Sequence, residues 1–345
     1  MPYYFPIKRV RDKQERTRIL DKLLVLRHHL DQQIPAKTSA ETLLLATWNI
    51  REFGDNRRTE SLYYIAEILA RFDLIAVQEV STKLNGLEKV VSILGYNWDY
   101  IVTDSTEGSA GGGERTAFIF DKNKVFFRKM AGELVLPLEK LIKGNFQFAR
   151  TPFCAAFQAG WFKFNLATVH IYYGTKSKSD PRRHNEIETI AQFLTKRAKK
   201  EDTSYILLGD FNIFGCEDDT MKSLENNGFF VPKAIKKHPS DLGGTKHYDQ
   251  IAFNLNIDKN MVLFPDDSDK KAGTFDFTKS VYTPDDVNIY MEYFDKKYVE
   301  GKKEEEIKKY YLSKWRTFQM SDHLPLWAEL KIDFSNEYLE NIRAD

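Results

Sequence analysis

Several apolar runs in this chain stop or start on a group able to ligate a cation or move a proton. LLLATWNI delivers Asn49, LIAVQEV delivers Glu79, LATVHI delivers His170, and YILLGDFNIF delivers Asp210 and Asn212. Asp249 opens the run DQIAF, and Asp322 and His323 precede LPLWAEL. One aspartate at a strand end is more often a turn former than a functional group. Coincidence at every one of these ends is hard to explain that way, because carboxylates tucked against apolar strands are rarely buried without a partner or a metal.

The residue types suit oxygen-ligated metal chemistry. Magnesium prefers oxygen donors and commonly takes one or two carboxylates together with substrate phosphate. Glu79 is the leading ligand candidate, with Asn49, Asp210 and Asp322 in reserve, and Mn²⁺ or Ca²⁺ would accept the same donors. His170 and His323 titrate near neutrality and can move protons. Their imidazoles need acidic partners to fix tautomer and orientation, and Glu114 and Asp249 are available. There is no HExxH and no histidine cluster of a zinc site. His28, His29, His184, His238 and His247 are read as structural or surface residues, and Cys154 and Cys216 as two free thiols with no metal spacing.

The elements that must position these groups follow from periodicity. Ile19, Leu23, Leu26 and Leu30 mark an amphipathic helix over 12–32, which a polar, proline-containing linker joins to the rest. This divides the chain into an extension over 1–40 and a catalytic domain over 41–345. Strand-length runs recur at 43–50, 74–77, 116–120, 153–157, 166–171, 205–208, 251–253 and 324–330. Helical spacing appears in Leu62, Ile65, Ala66, Leu69 and again in Ile187, Ile190, Ala191, Leu194. A hairpin is predicted across Gln158–Gly160. Hairpins mixed with helices predict a layered, largely antiparallel α/β domain. In antiparallel sheets a strand's end lies beside its neighbour's start, so the polar termini are expected along one edge.

Residues 254–320 read as a helical insertion, rich in aspartate, lysine and tyrosine, with the solvated charge run GKKEEEIKKYY. Its Tyr290, Tyr293, Phe294 and Tyr298, interleaved with lysines, would either stack bases or pack inward as a cap.

Lysine plus arginine, 51 residues, balances aspartate plus glutamate, 50, leaving a net charge of +1. Overall charge therefore does not recruit a polyanion, and nucleic-acid contact would need a local patch. No segment reaches the ~18 apolar residues of a membrane span, and the amino terminus lacks the apolar core of a signal peptide. The expectation is a cytoplasmic protein without a membrane span.

At these residues the chain resembles the endonuclease/exonuclease/phosphatase superfamily, in particular its DNase I-like branch. The matching segments are WNIREFG (48–54), QEV (78–80), ERTAFIFDKNKV (114–125), RTPFCAAF (150–157), ATVHI (167–171), LLGDFN (207–212), YDQIAF (248–253) and SDHLPLWAEL (321–330), in the family's order. GDFN together with SDHLP is the more specific part.

The resemblance implies a four-layer sandwich of two packed, mostly antiparallel β-sheets flanked by helices, and magnesium-dependent phosphate-ester hydrolysis. It places Glu79, Asn49 and Asp322 at the metal centre. It pairs His170 with Glu114 and His323 with Asp249, and gives Asp210 and Asn212 the attacking water and scissile phosphate. Arg115 and Arg150 become phosphate-contacting groups, as bidentate guanidinium chemistry suits. In the expected mechanism His323 helps deprotonate water and His170 assists the leaving oxygen, with the acid and base roles left open.

Two departures bear on substrate. Ser81 follows QEV where the branch tends to carry arginine, and Gly111–Gly113 precede Glu114 where it offers a tyrosine to the minor groove. The expected substrate is a nucleic-acid phosphodiester, which would make the protein a DNase I-like nuclease, an endonuclease by that resemblance, with endo- against exo-cleavage left open by the residues. Two alternatives stand beside it: a phosphatase or phosphodiesterase acting on a small-molecule or lipid-headgroup phosphate, and a catalytically inactive binding module. Substrate choice is placed in the loop 107–113 and the insertion 254–320.

Overall fold

The computed structural model describes residues 2–106, 112–142, 146–256 and 271–344. Glu107–Gly111 of the expected substrate loop and residues 257–270 of the insertion therefore lie outside the described residues.

Helix α1 (Lys13–Gln33) begins where the Asp12 carboxylate accepts from the amides of Gln14 and Glu15, satisfying donors that the first turn leaves unpaired. Ile19, Leu23, Leu26 and Leu30 form its buried stripe. Then come β1 (Thr42–Phe53), α2 (Thr59–Leu69), β2 (Leu74–Val80), α3 (Asn85–Leu94), β3 (Trp98–Val102), β4 (Arg115–Asp121) and β5 (Val125–Glu133). After these lie β6 (Phe153–Ala159), β7 (Phe162–His170), α4 (Pro181–Glu201), β8 (Ser204–Asp210), α5 (Asp219–Asn226), β9 (Asp249–Asn254), β10 (Ala272–Thr274) and β11 (Leu326–Lys331). β5 opens on a short apolar run, Val125–Phe127, but residues 128–133 are all exposed, which is why its sequence does not announce a full strand.

The strands form two sheets, ordered β10-β11-β1-β2-β4-β3 and β5-β6-β7-β8-β9. Period-2 alternation sends Leu43 and Leu45 into the core between the sheets, while Leu44, Ala46 and Trp48 face outward. Ile187, Ile190, Ala191 and Leu194 of α4 bury against the second sheet, and α1 and α2 cover the first. This is the expected sandwich. α1 is tied to α2 by Arg18–Glu60 (3.2 Å) and Arg27–Glu67 (2.8 Å), and to the insertion by Lys22–Asp286 (2.7 Å). Among the described residues no helix is long and apolar enough to cross a membrane.

One expectation is corrected. The polar termini do not lie along one edge of an antiparallel sheet; they occupy matching ends of both sheets. β1 pairs with β2 in parallel, and β7 with β8, because α2 and α4 cross between them and bring each strand back in the same direction. The register then sets Asn49 beside Gln78, His170 beside Asp210, and Asp210 beside Asp249.

Of the two readings of the insertion's aromatics, inward packing holds for Tyr290 and Phe294, whereas Tyr293 is exposed. Tyr290 and Phe294 are buried, and with Tyr282, Tyr311 and Trp315 they form one cluster, the Tyr290 and Trp315 rings lying 5.1 Å apart. Neither ring has a face left for a base. Apolar area removed from water within the domain outweighs its exposure at a binding face.

Candidate active site

Asp210 sits at the centre. The preceding Gly209 has φ +132°, and a Cβ there would lie 2.1 Å from the Val169 carbonyl oxygen, so only glycine lets the end of β8 close onto β7. Asp210 Oδ1 accepts from the Asn212 amide at 2.8 Å, and the Asn212 side chain donates to the Ile171 carbonyl at 2.8 Å. Asp210 Oδ2 accepts from Asn49 Nδ2 at 3.0 Å, across the gap between the sheets. The same oxygen lies 3.5 Å from His170 Nε2 and 3.8 Å from His323 Nε2.

Glu79 arrives on a bulge. The β1–β2 register slips between Asn49 and Phe53, and Glu79 adopts φ +58°. A non-glycine residue in that region costs on the order of 1–3 kcal/mol and persists where its surroundings impose it. Here Glu79 Oε1 accepts from Asn49 Nδ2 (3.1 Å) and Oε2 from the Glu52 amide (2.9 Å). Burial alone would raise the Glu79 carboxyl, but His170, the Glu52 amide and Asn49 outweigh it and hold its pKa below the ordinary value. Asn49 thus bridges two carboxylates through one nitrogen, while its Oδ1 is buried without a hydrogen-bond partner.

The two histidines differ in charge preference. His170 Nδ1 lies 3.3 Å from Glu114 Oε2, and Arg150 Nε pairs with the other Glu114 oxygen. Burial dominates at His170 and lowers its pKa, with Arg150 acting in the same direction against Asp210. His323 Nδ1 lies 2.7 Å from Asp249 Oδ2, and Asp249 is fully buried. Burial again opposes the charged form, but Asp249 and Asp210 outweigh it, so the His323 pKa stands well above the ordinary value.

Asn49, Glu79, Glu114, His170, Asp210, Asn212, Asp249 and His323 are joined by these contacts, with Arg150 at their edge. Asp322 and Arg115 lie apart from them. The Asp322 carboxylate is half exposed and 3.7 Å from Arg51. Arg115 donates to the Thr103 carbonyl (2.6 Å) and pairs with Asp104 (3.2 Å).

Several positioning residues escaped the sequence reading. Ser321 Oγ donates to the Asn49 carbonyl at 2.6 Å and accepts from the His323 amide at 3.0 Å. Trp48 Nε1 donates to the His323 carbonyl at 2.8 Å. Buried Arg57 donates to the carbonyls of Arg51, Phe318 and Met320, stapling the end of β1 to the segment before His323. Gln78 spans the sheets, donating to Thr47 (3.1 Å) and Thr168 (2.8 Å). For Ser321 and Trp48, adjacency to the histidine and asparagine was the available signal; Arg57 offered none.

The donor set suits a hard divalent cation. Glu79, Glu114 and His170 each offer a ligand atom, all within 4.8 Å of one another. Asn49 donates to Glu79 through Nδ2 and leaves its Oδ1 buried without a donor, and a buried acceptor lacking a donor is what a cation would satisfy.

A family model described as the Endonuclease/Exonuclease/phosphatase family matches residues 46–284. No curated protein matches the sequence. Solved structures share the fold at low identity. D. rerio TDP2 complexed with single strand DNA product superposes with TM-score 0.54 at 14% identity, covering 84% of this chain and 98% of that one. The human Nocturnin catalytic domain with bound sulfate anion gives 0.52 at 13%, covering 84% and 93%. A Bacteroides thetaiotaomicron mannosyl-6-phosphatase gives 0.51 at 14%, covering 84% and 99%.

Proposed function

This chain belongs to the endonuclease/exonuclease/phosphatase family, whose members are generally hydrolytic phosphoesterases, and from that premise we propose that it is a divalent-metal-dependent phosphodiesterase acting on nucleic-acid phosphodiesters. The observation that carries the chemistry is Asp210, bonded to Asn49 and facing both His170 and His323.

A cation held by Glu79 and Asn49, with Mg²⁺ the best fit to their oxygens, would supply charge stabilisation to the phosphate in the transition state. The protein's own groups do the rest. Asp210, kept in place by the Asn212 amide, orients the attacking water. The opposite pushes on the two histidines favour His170 as base and His323 as acid, the reverse of the roles first expected. His170, held neutral by burial, takes up a proton; His323, kept charged by Asp249 and Asp210, donates one to a phosphate oxygen or the leaving oxygen. Arg150, already near Glu114, contributes positive charge beside the scissile group.

The test is an activity panel with Mg²⁺ and Mn²⁺ on plasmid, single-stranded DNA, RNA, bis-(4-nitrophenyl) phosphate and inositol phosphates. Turnover of nucleic acid and of the minimal diester supports the reading. Turnover confined to monoesters would replace it with a small-molecule phosphatase, and no turnover of any substrate would leave a binding module.

A further inference from the structure

Tyr290 and Phe294 of the insertion are sealed inside, yet three other rings line up beside His323. They come from the ends of three adjacent strands: Tyr173 after β7, Phe214 after β8 and Tyr248 before β9. Tyr248 lies 5.5 Å from the His323 ring, Phe214 stands perpendicular to Tyr248 at 5.5 Å, and Tyr173 stacks on Phe214 at 6.2 Å. Two cations flank the row, with Arg183 and Lys246 each 4.8 Å from the Phe214 centroid. Phe214 is 7% exposed, as a packing ring should be, but Tyr173 is 37% exposed.

That exposed ring rests on a pinned backbone. Fully buried Arg183 donates to the Tyr173 carbonyl at 3.0 Å and to the Ser177 carbonyl. Gly174 has φ +65°, and a Cβ there would meet Asp180 Oδ2 at 2.4 Å, so the loop is drawn tightly against the start of α4. An exposed aromatic held this firmly loses little entropy when something stacks on it.

We propose that Tyr173 is a stacking platform, backed by Phe214 and Tyr248, for a planar aromatic group that the substrate carries on the non-leaving ester oxygen of its scissile phosphate. A nucleobase and a simple aryl ester share this chemistry. The inference rests on the phosphodiesterase reading above and adds what selects the diester. Lys246 sits beside the row and offers its charge to the phosphate flanking the stacked group.

The test uses three diesters with one leaving group, 4-nitrophenolate, so that the bond broken is constant. The second substituent is thymidine (through its 5′ oxygen), phenyl or methyl. With Mg²⁺ or Mn²⁺, the wild-type protein should favour the thymidine ester over the methyl ester by ~10-fold or more in kcat/KM, mostly through KM, the usual size of one stacking contact. Tyr173→Ala should collapse that ratio and Tyr173→Phe should keep it, because stacking needs the ring and not the hydroxyl. The phenyl ester separates the two sources: a ratio like thymidine's identifies a general aryl platform, and a ratio like methyl's identifies one that needs the larger base. No wild-type preference, or a preference that survives Tyr173→Ala, overturns the platform while turnover of the methyl ester leaves the phosphodiesterase reading standing. No turnover of any of the three overturns that reading, and the platform with it.

Discussion

Asn49 Nδ2 lies 3.0 Å from Asp210 Oδ2, and this one bond ties the end of the first sheet to the end of the second. The same nitrogen serves Glu79, so the side chain sets the spacing between the candidate metal ligand and the candidate water-orienting carboxylate. Asn49→Asp would place three acidic groups together in a buried site. Like charges there disfavour ionisation, so the variant should melt several degrees below wild type at neutral pH. Added Mg²⁺ should recover more melting temperature in the variant than in the wild type. Thermal denaturation with and without the ion checks this, and an identical response in both proteins would remove Asn49 from the metal centre.

His170→Ala and His323→Ala should each lower turnover by ~10²–10⁴, the usual worth of a positioned acid or base. Both variants should stay folded, since His170 ends β7, His323 precedes β11, and neither ring belongs to the two apolar core clusters. Turnover within a few-fold of wild type for both, with unchanged circular dichroism, would contradict their roles.

Asp249→Asn carries a pH signature. Asp249 and Asp210 raise the folded pKa of His323, so the pairing stabilises the fold fully below the ordinary histidine value of ~6.5. That stabilisation is lost as pH rises through the folded value. The stability gap between wild type and Asp249→Asn should therefore be widest just below the ordinary histidine value, narrow toward alkaline pH, and close again in strong acid, where the Asp249 carboxyl, raised by burial, takes up a proton. The alkaline limb of the activity profile should also move to lower pH in the variant. Denaturant titrations across pH, with ¹⁵N NMR of the His323 ring, measure both, and a gap that widens toward alkaline pH would reverse the assignment.

Chelation should stop hydrolysis and re-addition of Mg²⁺ or Mn²⁺ should restore it, because the site offers carboxylate and amide oxygens rather than thiolates. Isothermal titration with the ion alone should give binding that Glu79→Gln weakens by at least ~10-fold, the scale seen when metal-site groups are disturbed. Undiminished activity in excess chelator would exclude the proposed cation.

Trp315→Ala removes a ring that packs against Tyr282, Tyr290, Phe294 and Tyr311. A loss of about 3–5 kcal/mol is expected, as for other buried aromatics cut back to alanine. Because the cluster is structural, surviving activity should fall equally on a minimal nitrophenyl diester and on nucleic acid. Selective loss on nucleic acid alone would return the insertion to substrate selection.

The residues of the candidate site were legible in the sequence itself. Asn49, Glu79, His170 and Asp210 stand out because a strand's apolar alternation is local, and so is the point at which a polar side chain ends it. The same locality exposes the stripe of α1 and the crossover helices α2 and α4. What pairs with what is not local. The parallel joins of β1 with β2 and of β7 with β8 place the polar ends on two sheets, and only packing those sheets face to face brings Asn49 to Asp210. The Glu79 bulge and the buried staple of Arg57 answer to carbonyls and amides far away in the chain. Aromatic residues show the limit most clearly. Tyr290 and Tyr173 look alike in sequence, but Tyr290 is enclosed by α1, α2 and the rest of the insertion, while Tyr173 is held out on a pinned loop beside the candidate active site. A ring's burial depends on what the rest of the chain packs against it, and that is decided only when distant segments compete for the same apolar surface.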